Sequence, residues 1–395
     1  MRALPPLVAA VALAIAPLAQ DVPPRGADAT FDVATWNVEW FGDSRNGPSN
    51  DGLQVQNVAE VIRQAEIDLW ALQEISDTAD FNALLQTIEN DGYRGVIFNP
   101  GGSNQRLAYV YNENVVTVSA TTTVLAGNEF DFAGRLPFVL FGSATVGGQT
   151  QSIRVVNIHA KCCGDTNSYN RRVRAAAALK EYTDDQIERG RALILLGDFN
   201  DRLNISTASG RLSPYRPFRS DPDYTIATFE IDRLNVPTFC SNSSCTSGTA
   251  LDHILFSQDL AASYVEASGD RYIELVSAID DYRETTSDHV PVVASFTLVP
   301  VSSETAPEAA RVALLAPEPN PVREAATFRF RLSAPGTARV DVFDARGRRV
   351  AGASGTYASG ESAVRVATGP LAPGVYAVRL AAGGEVRTRT FVRAR

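Results

Sequence analysis

Two periodicities run through residues 30–298 in alternation, and only one of them continues beyond. Residues 31–40 alternate with period two, placing Thr35, Asn37 and Glu39 on one face of a strand and Trp36, Val38 and Trp40 on the other. Apolar positions at helical spacing follow in 54–65 (Val55, Val58, Ile62), and helices are also expected over 81–88 and 170–186. Residues 67–75, 106–111, 136–141, 153–159, 250–256 and 290–298 read as strands. Leu193-Ile194-Leu195-Leu196 is apolar at every position, as in a strand buried on both faces, and Gly197 ends it. Asp198 and Asn200 come next at i and i+2, a spacing that puts both side chains on one side of an extended segment, with Phe199 on the other.

The pattern changes at about residue 300. Residues 300–314 have the Pro, Ala, Ser and Glu content of a linker. From 315 to 395 only short strands are expected, over 327–332, 338–343, 362–367, 374–380 and 385–392, with turn signals at 344–348 and 382–385; an all-β sandwich follows. At the other end, Met1-Arg2 precedes an apolar run to Ala19 that is too short to span a membrane and reads as a signal peptide over 1–19. No later stretch is long and apolar enough for a transmembrane segment, so a secreted, soluble monomer is expected. The first large unit is expected over 30–299, as α/β.

Composition adds one constraint. With 45% hydrophobic and 21% charged residues the chain is globular, not disordered. Its net charge of −9 is unevenly spread: residues 301–395 carry 14 Arg against 8 acidic residues, leaving 22 basic and 37 acidic residues in 1–300. A unit at −15 has no general footprint for nucleic acid, so bound cations must supply positive charge if it handles phosphates. Four cysteines, Cys162, Cys163, Cys240 and Cys245, lack zinc-site spacing; in an exported chain, disulfides tying the 162–163 loop to the 240–245 loop are expected.

Candidate chemistry gathers at strand ends. Glu74, His159, Asp198 and Asp252 each close or open a strand, and Asp288 and His289 precede one. Carboxylates buried in such places are costly unless paired or bound to metal, and several of them suggest a hard divalent cation, Mg2+ or Mn2+. His253 is read as structural.

The segments Trp36-Asn37, Gln73-Glu74, Asn157-Ile158-His159, Gly197-Asp198-Phe199-Asn200, Leu251-Asp252-His253-Ile254-Leu255 and Ser287-Asp288-His289-Val290-Pro291 occur in one order. Together they resemble the endonuclease/exonuclease/phosphatase superfamily typified by DNase I. The resemblance implies a DNase I-like four-layer α/β sandwich, two mixed β-sheets flanked by helices. It implies Glu74 as main metal carboxylate with Asn37 and Asp288 beside it, and Asp198 orienting or deprotonating the attacking water. Asn200 would hold phosphate or that water, Asp252 would fix the tautomer of His289, His159 would be an acid for the leaving oxygen, and Arg135 would contact phosphate. The chain departs from DNase I in carrying Glu39 two residues after Asn37, similar to the exonuclease III branch, where it could assist the metal. Gln105 falls where DNase I has an acidic partner for the His159 counterpart.

The tail segments Pro319-Asn320-Pro321, Phe343-Asp344-Ala345-Arg346-Gly347-Arg348 and Leu371-Ala372-Pro373-Gly374-Val375-Tyr376 resemble the C-terminal sorting domain of type IX secretion substrates. That resemblance implies the secretion machinery as a partner and an extracellular or cell-surface location. The combined expectation is a secreted, Mg2+- or Mn2+-dependent phosphodiester hydrolase, an endonuclease on DNA or RNA, with Ca2+ a candidate structural ion. A sphingomyelinase-like or other phosphoesterase is the alternative within the family, and a catalytically silent binding protein the alternative outside it.

Overall fold

The computed structural model describes residues 21–98, 104–298, 312–315, 322–344 and 347–394. The expected signal peptide, most of the expected linker and Pro319-Asn320-Pro321 lie outside the described residues.

Fourteen strands and three long helices build the first unit: β1 (Phe31–Phe41), α1 (Asp51–Gln64), β2 (Leu69–Ile75), α2 (Thr78–Ile88), β3 (Tyr93–Ile97), β4 (Arg106–Asn112), β5 (Val116–Thr123), β6 (Phe138–Val146), β7 (Gln149–His159), α3 (Thr166–Glu188), β8 (Leu193–Asp198), β9 (Tyr224–Ile226), β10 (Phe239–Cys240), β11 (Gly248–Thr249), β12 (Asp252–Ser257), β13 (Asp270–Arg271) and β14 (Val292–Phe296). Twelve of them form two six-stranded sheets, in the orders β13-β14-β1-β2-β4-β3 and β5-β6-β7-β8-β12-β9. Each is mixed, because β1 runs parallel to β2 and β7 parallel to β8 while the other neighbours are antiparallel.

Side-chain alternation sorts these strands into layers. Phe31, Val33, Leu69 and Ala71 of the first sheet meet Leu140, Val155, Ile194, Leu196, Ile254 and Phe256 of the second in one buried cluster between the sheets. Trp36, Val38, Trp70 and Leu72 point the other way and pack with Val58 and Ile62 of α1 and Phe81 and Leu84 of α2. Val156, Leu193 and Leu195 pack with Ala175, Ala176 and Leu179 of α3. The result is helices, sheet, sheet, helix: the expected four-layer sandwich. Each fully buried Val, Leu or Phe in these clusters contributes about 1.5–3 kcal/mol.

The helices begin earlier than their apolar spacing indicates, because polar caps extend them. Asn50 caps α1 through Leu53 N, Asp77 caps α2 through Ala79 N and Asp80 N, and Asp165 caps α3 through Asn167 N and Ser168 N. Beyond residue 311, β15 (Val312–Leu314), β16 (Ala325–Leu332), β17 (Gly336–Phe343), β18 (Arg349–Tyr357), β19 (Gly360–Ala367), β20 (Gly374–Ala382) and β21 (Glu385–Arg393) form sheets β15-β16-β19 and β18-β17-β20-β21 around Phe328, Phe330, Val340, Val378 and Phe391. Val312–Leu314 was expected to be linker; it pairs with Leu332 to Phe330 and belongs to the sandwich.

One buried acidic pair in the first sheet has a measurable consequence. Asp68 Oδ2 accepts the Asp32 amide at 2.9 Å, and Asp32 Oδ2 accepts Ala27 N and Thr30 Oγ1. Burial pushes Asp68 up to about 7 from its ordinary 3.8, and the nearby Asp32 and Asp28 charges add to the rise against the opposing Asp32 N–H bond. The folded chain then holds a proton that the unfolded chain gives up between about pH 4 and pH 7. Stability is therefore full below that window and falls across it, by at most about 4 kcal/mol for this group. Asp68→Asn is expected to flatten the fall, read as melting temperature at pH 4, 5.5 and 7.5 for both proteins. Parallel curves would show that Asp68 does not titrate in the window.

Candidate active site

The inward-facing row of each central strand ends in a polar side chain. Asn37 on β1, Asp198 on β8 and Asp252 on β12 continue the faces that carry Val33, Leu196 and Ile254 into the gap between the sheets, and His159 does so for Val155 on β7. Their floor is a buried amide layer: Gln73 Nε2 donates to Asn157 Oδ1 (2.8 Å) and Thr35 Oγ1 (3.0 Å), and Asn157 Nδ2 donates to the carbonyls of Leu72 and Ala108. These bonds join the two sheets under the site.

Plain alternation would send Glu74 away from Gln73's side. Its backbone lies instead in the left-handed region, φ +64°, and turns the carboxylate into the gap. Asn37 Nδ2 donates to Glu74 Oε1 (3.2 Å) and to Asp198 Oδ2 (3.1 Å), and Trp40 N donates to Glu74 Oε2 (2.9 Å). Glu39 and Trp40 are also left-handed, φ +44° and +47°, and the β1–β2 register shifts between Asn37 and Phe41. The regular alternation expected of residues 31–40 therefore stops at Val38. The kink lets Glu39 Oε2 accept the Asp288 amide at 2.9 Å.

On the second sheet, Gly197 is required where it stands. Its φ is +142°, and a Cβ there would lie 2.1 Å from Ile158 O on β7. Asp198 Oδ1 accepts Asn200 N (2.8 Å), while Asn200 Nδ2 donates to Asp198 Oδ2 (3.0 Å) and to Ala160 O (3.1 Å). Asp252 stands opposite Asp198 in the β8–β12 register. Its Oδ2 accepts His289 Nδ1 (2.7 Å) and Thr238 Oγ1 (2.6 Å). The His289 carbonyl accepts Trp36 Nε1 and Tyr282 OH, so both the ring and its backbone are fixed. His159 Nε2 lies 3.6 Å from Glu74 Oε1 and 3.5 Å from Asp198 Oδ2, beyond hydrogen-bonding distance. Its buried Nδ1 has no partner among the described residues, because Gln105, the expected neighbour, accepts Arg135 Nη1 instead. Arg135 Nη2 donates to Ala160 O at 2.9 Å.

The two histidines are in opposite states. Burial depresses His289, but the charge and hydrogen bond of Asp252, with Asp288 and Asp198 behind, outweigh it and raise the ring well above the usual histidine range. Burial, then the positive charges of Arg135, His289 and Lys161, hold His159 well below the usual histidine range. Burial and the facing Asp252 push Asp198 up to about 7 against the pull of His289, and burial and Asp288 push Glu39 up to about 8. His253 is structural as expected: its ring nitrogens meet Thr228 Oγ1 and Asp201 O, each at 3.2 Å.

Carboxylates held this high are the mark of a site short of positive charge. Donor atoms of Asp198, Asp252 and His289 lie within 4.8 Å of one another and form a candidate metal site. Asp252 Oδ1, buried and without a hydrogen bond, fits such a role. Glu74, Glu39 and Asp288, expected as metal ligands, do not gather their oxygens into such a cluster among the described residues; Asn37 Nδ2 donates to Glu74 Oε1, and Glu39 Oε2 accepts the Asp288 amide.

The cysteine expectation needs correction. Cys240 and Cys245 are bonded to each other, with Cα atoms 4.6 Å apart across the β10–β11 hairpin, a spacing a disulfide spans without distortion. Cys162 and Cys163 are free. The closed hairpin loop supports the His289 half of the site: Cys240 N donates to Asp288 O, and Val290 N donates to Thr238 O. Thr238 went unnoticed in the sequence because it sits in a stretch without periodicity. Gln73 and Asn157 had a signal, their place on the inward faces that carry Ala71 and Val155.

A model of the "Endonuclease/Exonuclease/phosphatase family" matches residues 34–289, and a secretion-system C-terminal sorting domain matches residues 319–393. No curated protein sequence matches the chain. Among solved structures, an endonuclease/exonuclease/phosphatase from Beutenbergia cavernae is similar at TM-score 0.51 and 14% identity, over 92% of this chain and 100% of that one. A Neisseria 3′ phosphatase bound to product DNA hairpin (0.50, 20%) and an AP endonuclease from Archaeoglobus fulgidus (0.50, 17%) each cover 67% of this chain and 99% of their own. At these identities the likeness establishes the fold. The sorting domain marks the chain for export to the cell surface or extracellular space, and no helix among the described residues is long and apolar enough to cross a membrane.

Proposed function

The chain belongs to the endonuclease/exonuclease/phosphatase family, and from that premise we propose that it is an exported, divalent-metal-dependent phosphodiesterase acting on nucleic acid. The observation that carries the reading is the meeting of three unlike groups at one end of the inter-sheet gap. These are the Asp252-paired imidazole of His289, the carboxyl of Asp198 and the carboxylate of Glu74, the last two bridged by the Asn37 amide.

Asp198, held by the Asn37 and Asn200 amides, orients the attacking water and takes its proton; a carboxyl at about 7 suits a base working near neutral pH. Asn200 hydrogen-bonds phosphate or that water without adding negative charge. Asp252 occupies His289 Nδ1, leaving Nε2–H to meet a phosphoryl oxygen on which charge grows. Arg135, anchored on Ala160 O and Gln105, adds a planar donor for phosphate. His159 is kept neutral by burial and Arg135, which suits a hydrogen bond to the phosphate better than donating a proton to the leaving oxygen. Glu74 and Asn37, assisted by Glu39 and Asp288, would hold Mg2+ or Mn2+, which when bound stabilises charge on the phosphoryl group.

The −15 charge of residues 1–300 favours a second reading, a sphingomyelinase-like or other phosphoesterase that binds one phosphate and not a long polyanion. Plasmid DNA, RNA, sphingomyelin and phosphate monoesters, each with Mg2+, Mn2+ or excess chelator, separate the readings. Nicking of plasmid or cleavage of RNA, abolished by chelator, is the expected result. Turnover confined to sphingomyelin or monoesters would assign the second reading, and no turnover with either Mg2+ or Mn2+ would leave only a binding protein.

A further inference from the structure

Cys162 and Cys163 follow the end of β7 on the loop leading to α3, and the only other cysteines of the chain are bonded to each other. Their sulfurs are 2.7 Å apart. A disulfide between them would close that gap to about 2.05 Å. Cys163 is left-handed, φ +84°, a conformation a residue with a Cβ adopts under constraint. Lys161 Nζ lies 3.2 Å from Cys162 Sγ.

The loop is clamped on both sides of the pair. Fully buried Arg172 donates from Nη1 to Lys161 O (2.8 Å) and Cys163 O (2.7 Å), and from Nε to Asp201 Oδ2 (3.0 Å). Just upstream, Ala160 N donates to Asp198 O, and Ala160 O accepts both Arg135 Nη2 and Asn200 Nδ2. The carbonyl that anchors Arg135 and Asn200 thus sits two residues from the first sulfur.

We propose that Cys162 and Cys163 are a redox-active vicinal pair, joined as a disulfide in the exported protein, and that this ring positions Arg135 and Asn200 through the Ala160 carbonyl. The oxidant is a low-molecular-weight or protein disulfide, RSSR. The Cys162 thiolate, beside the Lys161 ammonium, attacks one sulfur of RSSR, forming a mixed disulfide as RS⁻ leaves. The Cys163 thiolate then attacks Cys162 Sγ, closing the ring and expelling the second RS⁻. Two electrons pass to the oxidant, and the two thiol protons end on two RSH. Neighbouring Cα atoms are about 3.8 Å apart, below the usual span of a disulfide, so this ring is reduced before Cys240–Cys245. The positioning half of the inference rests on the phosphodiesterase reading; the disulfide half does not.

The full chain, equilibrated with oxidised glutathione, acid-quenched, alkylated and digested, is expected to give a Cys162–Cys163 peptide unalkylated and two hydrogens lighter than its reduced form. Graded reduced glutathione should open it while Cys240–Cys245 stays closed. Full alkylation of both residues in oxidised glutathione would overturn the disulfide. Opening the ring in the native chain is expected to raise KM about three- to tenfold with kcat within about twofold, reversibly, and Cys162→Ser/Cys163→Ser should show the raised KM without any redox response. An unchanged KM in the opened native chain would overturn the positioning role, whatever the variant does. If the proposed activity itself fails, neither redox state turns over any substrate. The mass readout still decides the disulfide, and a three- to tenfold loss of inorganic phosphate affinity on opening decides the positioning.

Discussion

Glu74→Gln is expected to lower kcat/KM by about three orders of magnitude, or about 4 kcal/mol of transition-state stabilisation. The substitution keeps the size of the side chain, but its single amide oxygen can accept from Asn37 Nδ2 or from Trp40 N and not from both. What it removes is one negative charge facing the gap. Mn2+ affinity, measured by calorimetric titration, is expected to fall at least tenfold, with a loss of stability no larger than the roughly 1 kcal/mol of one hydrogen bond. Asp252→Asn should leave that affinity within about threefold, because we assign Asp252 to His289 and not to the metal. Should Asp252→Asn lose the metal while Glu74→Gln keeps it, the ion belongs to the Asp198, Asp252 and His289 cluster, and our placement is wrong.

His289→Ala and Asp252→Ala are each expected to cost about 10²–10⁴ in kcat/KM, and the double variant little more than the worse single one. The reason is geometric: the 2.7 Å bond between them is what keeps the ring charged and its Nε2 free, so either loss removes the same function. His159→Ala should combine with Asp252→Ala nearly multiplicatively, since His159 contacts Glu74 and Asp198 but not Asp252. A double-mutant cycle on one phosphodiester at saturating Mg2+ reads both interaction energies. Multiplicative losses for Asp252 and His289 would mean that they do not act as a pair.

Where the sequence was legible, one physical rule was at work: apolar alternation marks an inward face, and a polar residue closing that face ends up in the gap. Asn37, His159, Asp198 and Asp252 follow it. Glu74 does not, because its orientation comes from a positive φ, and nothing in Leu-Gln-Glu-Ile announces one. Strands whose neighbours cover them only in part were also invisible. β5 is mostly Thr, Ser and Val with exposed positions, and β18 is rich in Gly, Ala and Ser, so neither shows a hydrophobic face. The disulfide was misjudged because pairing depends on Cα spacing, which a β10–β11 hairpin of two-residue strands sets and composition does not.

The first and a late strand of the catalytic sandwich are neighbours: Phe31 of β1 lies opposite Phe296 of β14. Trp36 Nε1 reaches His289 O across 253 positions, and Ser287 Oγ reaches Asn37 O across 250. A hydrolase wired in this way cannot work while it is being made. A chain still on the ribosome, or halfway through a membrane, has its Asn37 and Glu74 but no imidazolium, and its leading strand has no partner on one side. Until the chain has been made through β14, the His289 half of the site cannot join the Asn37 half.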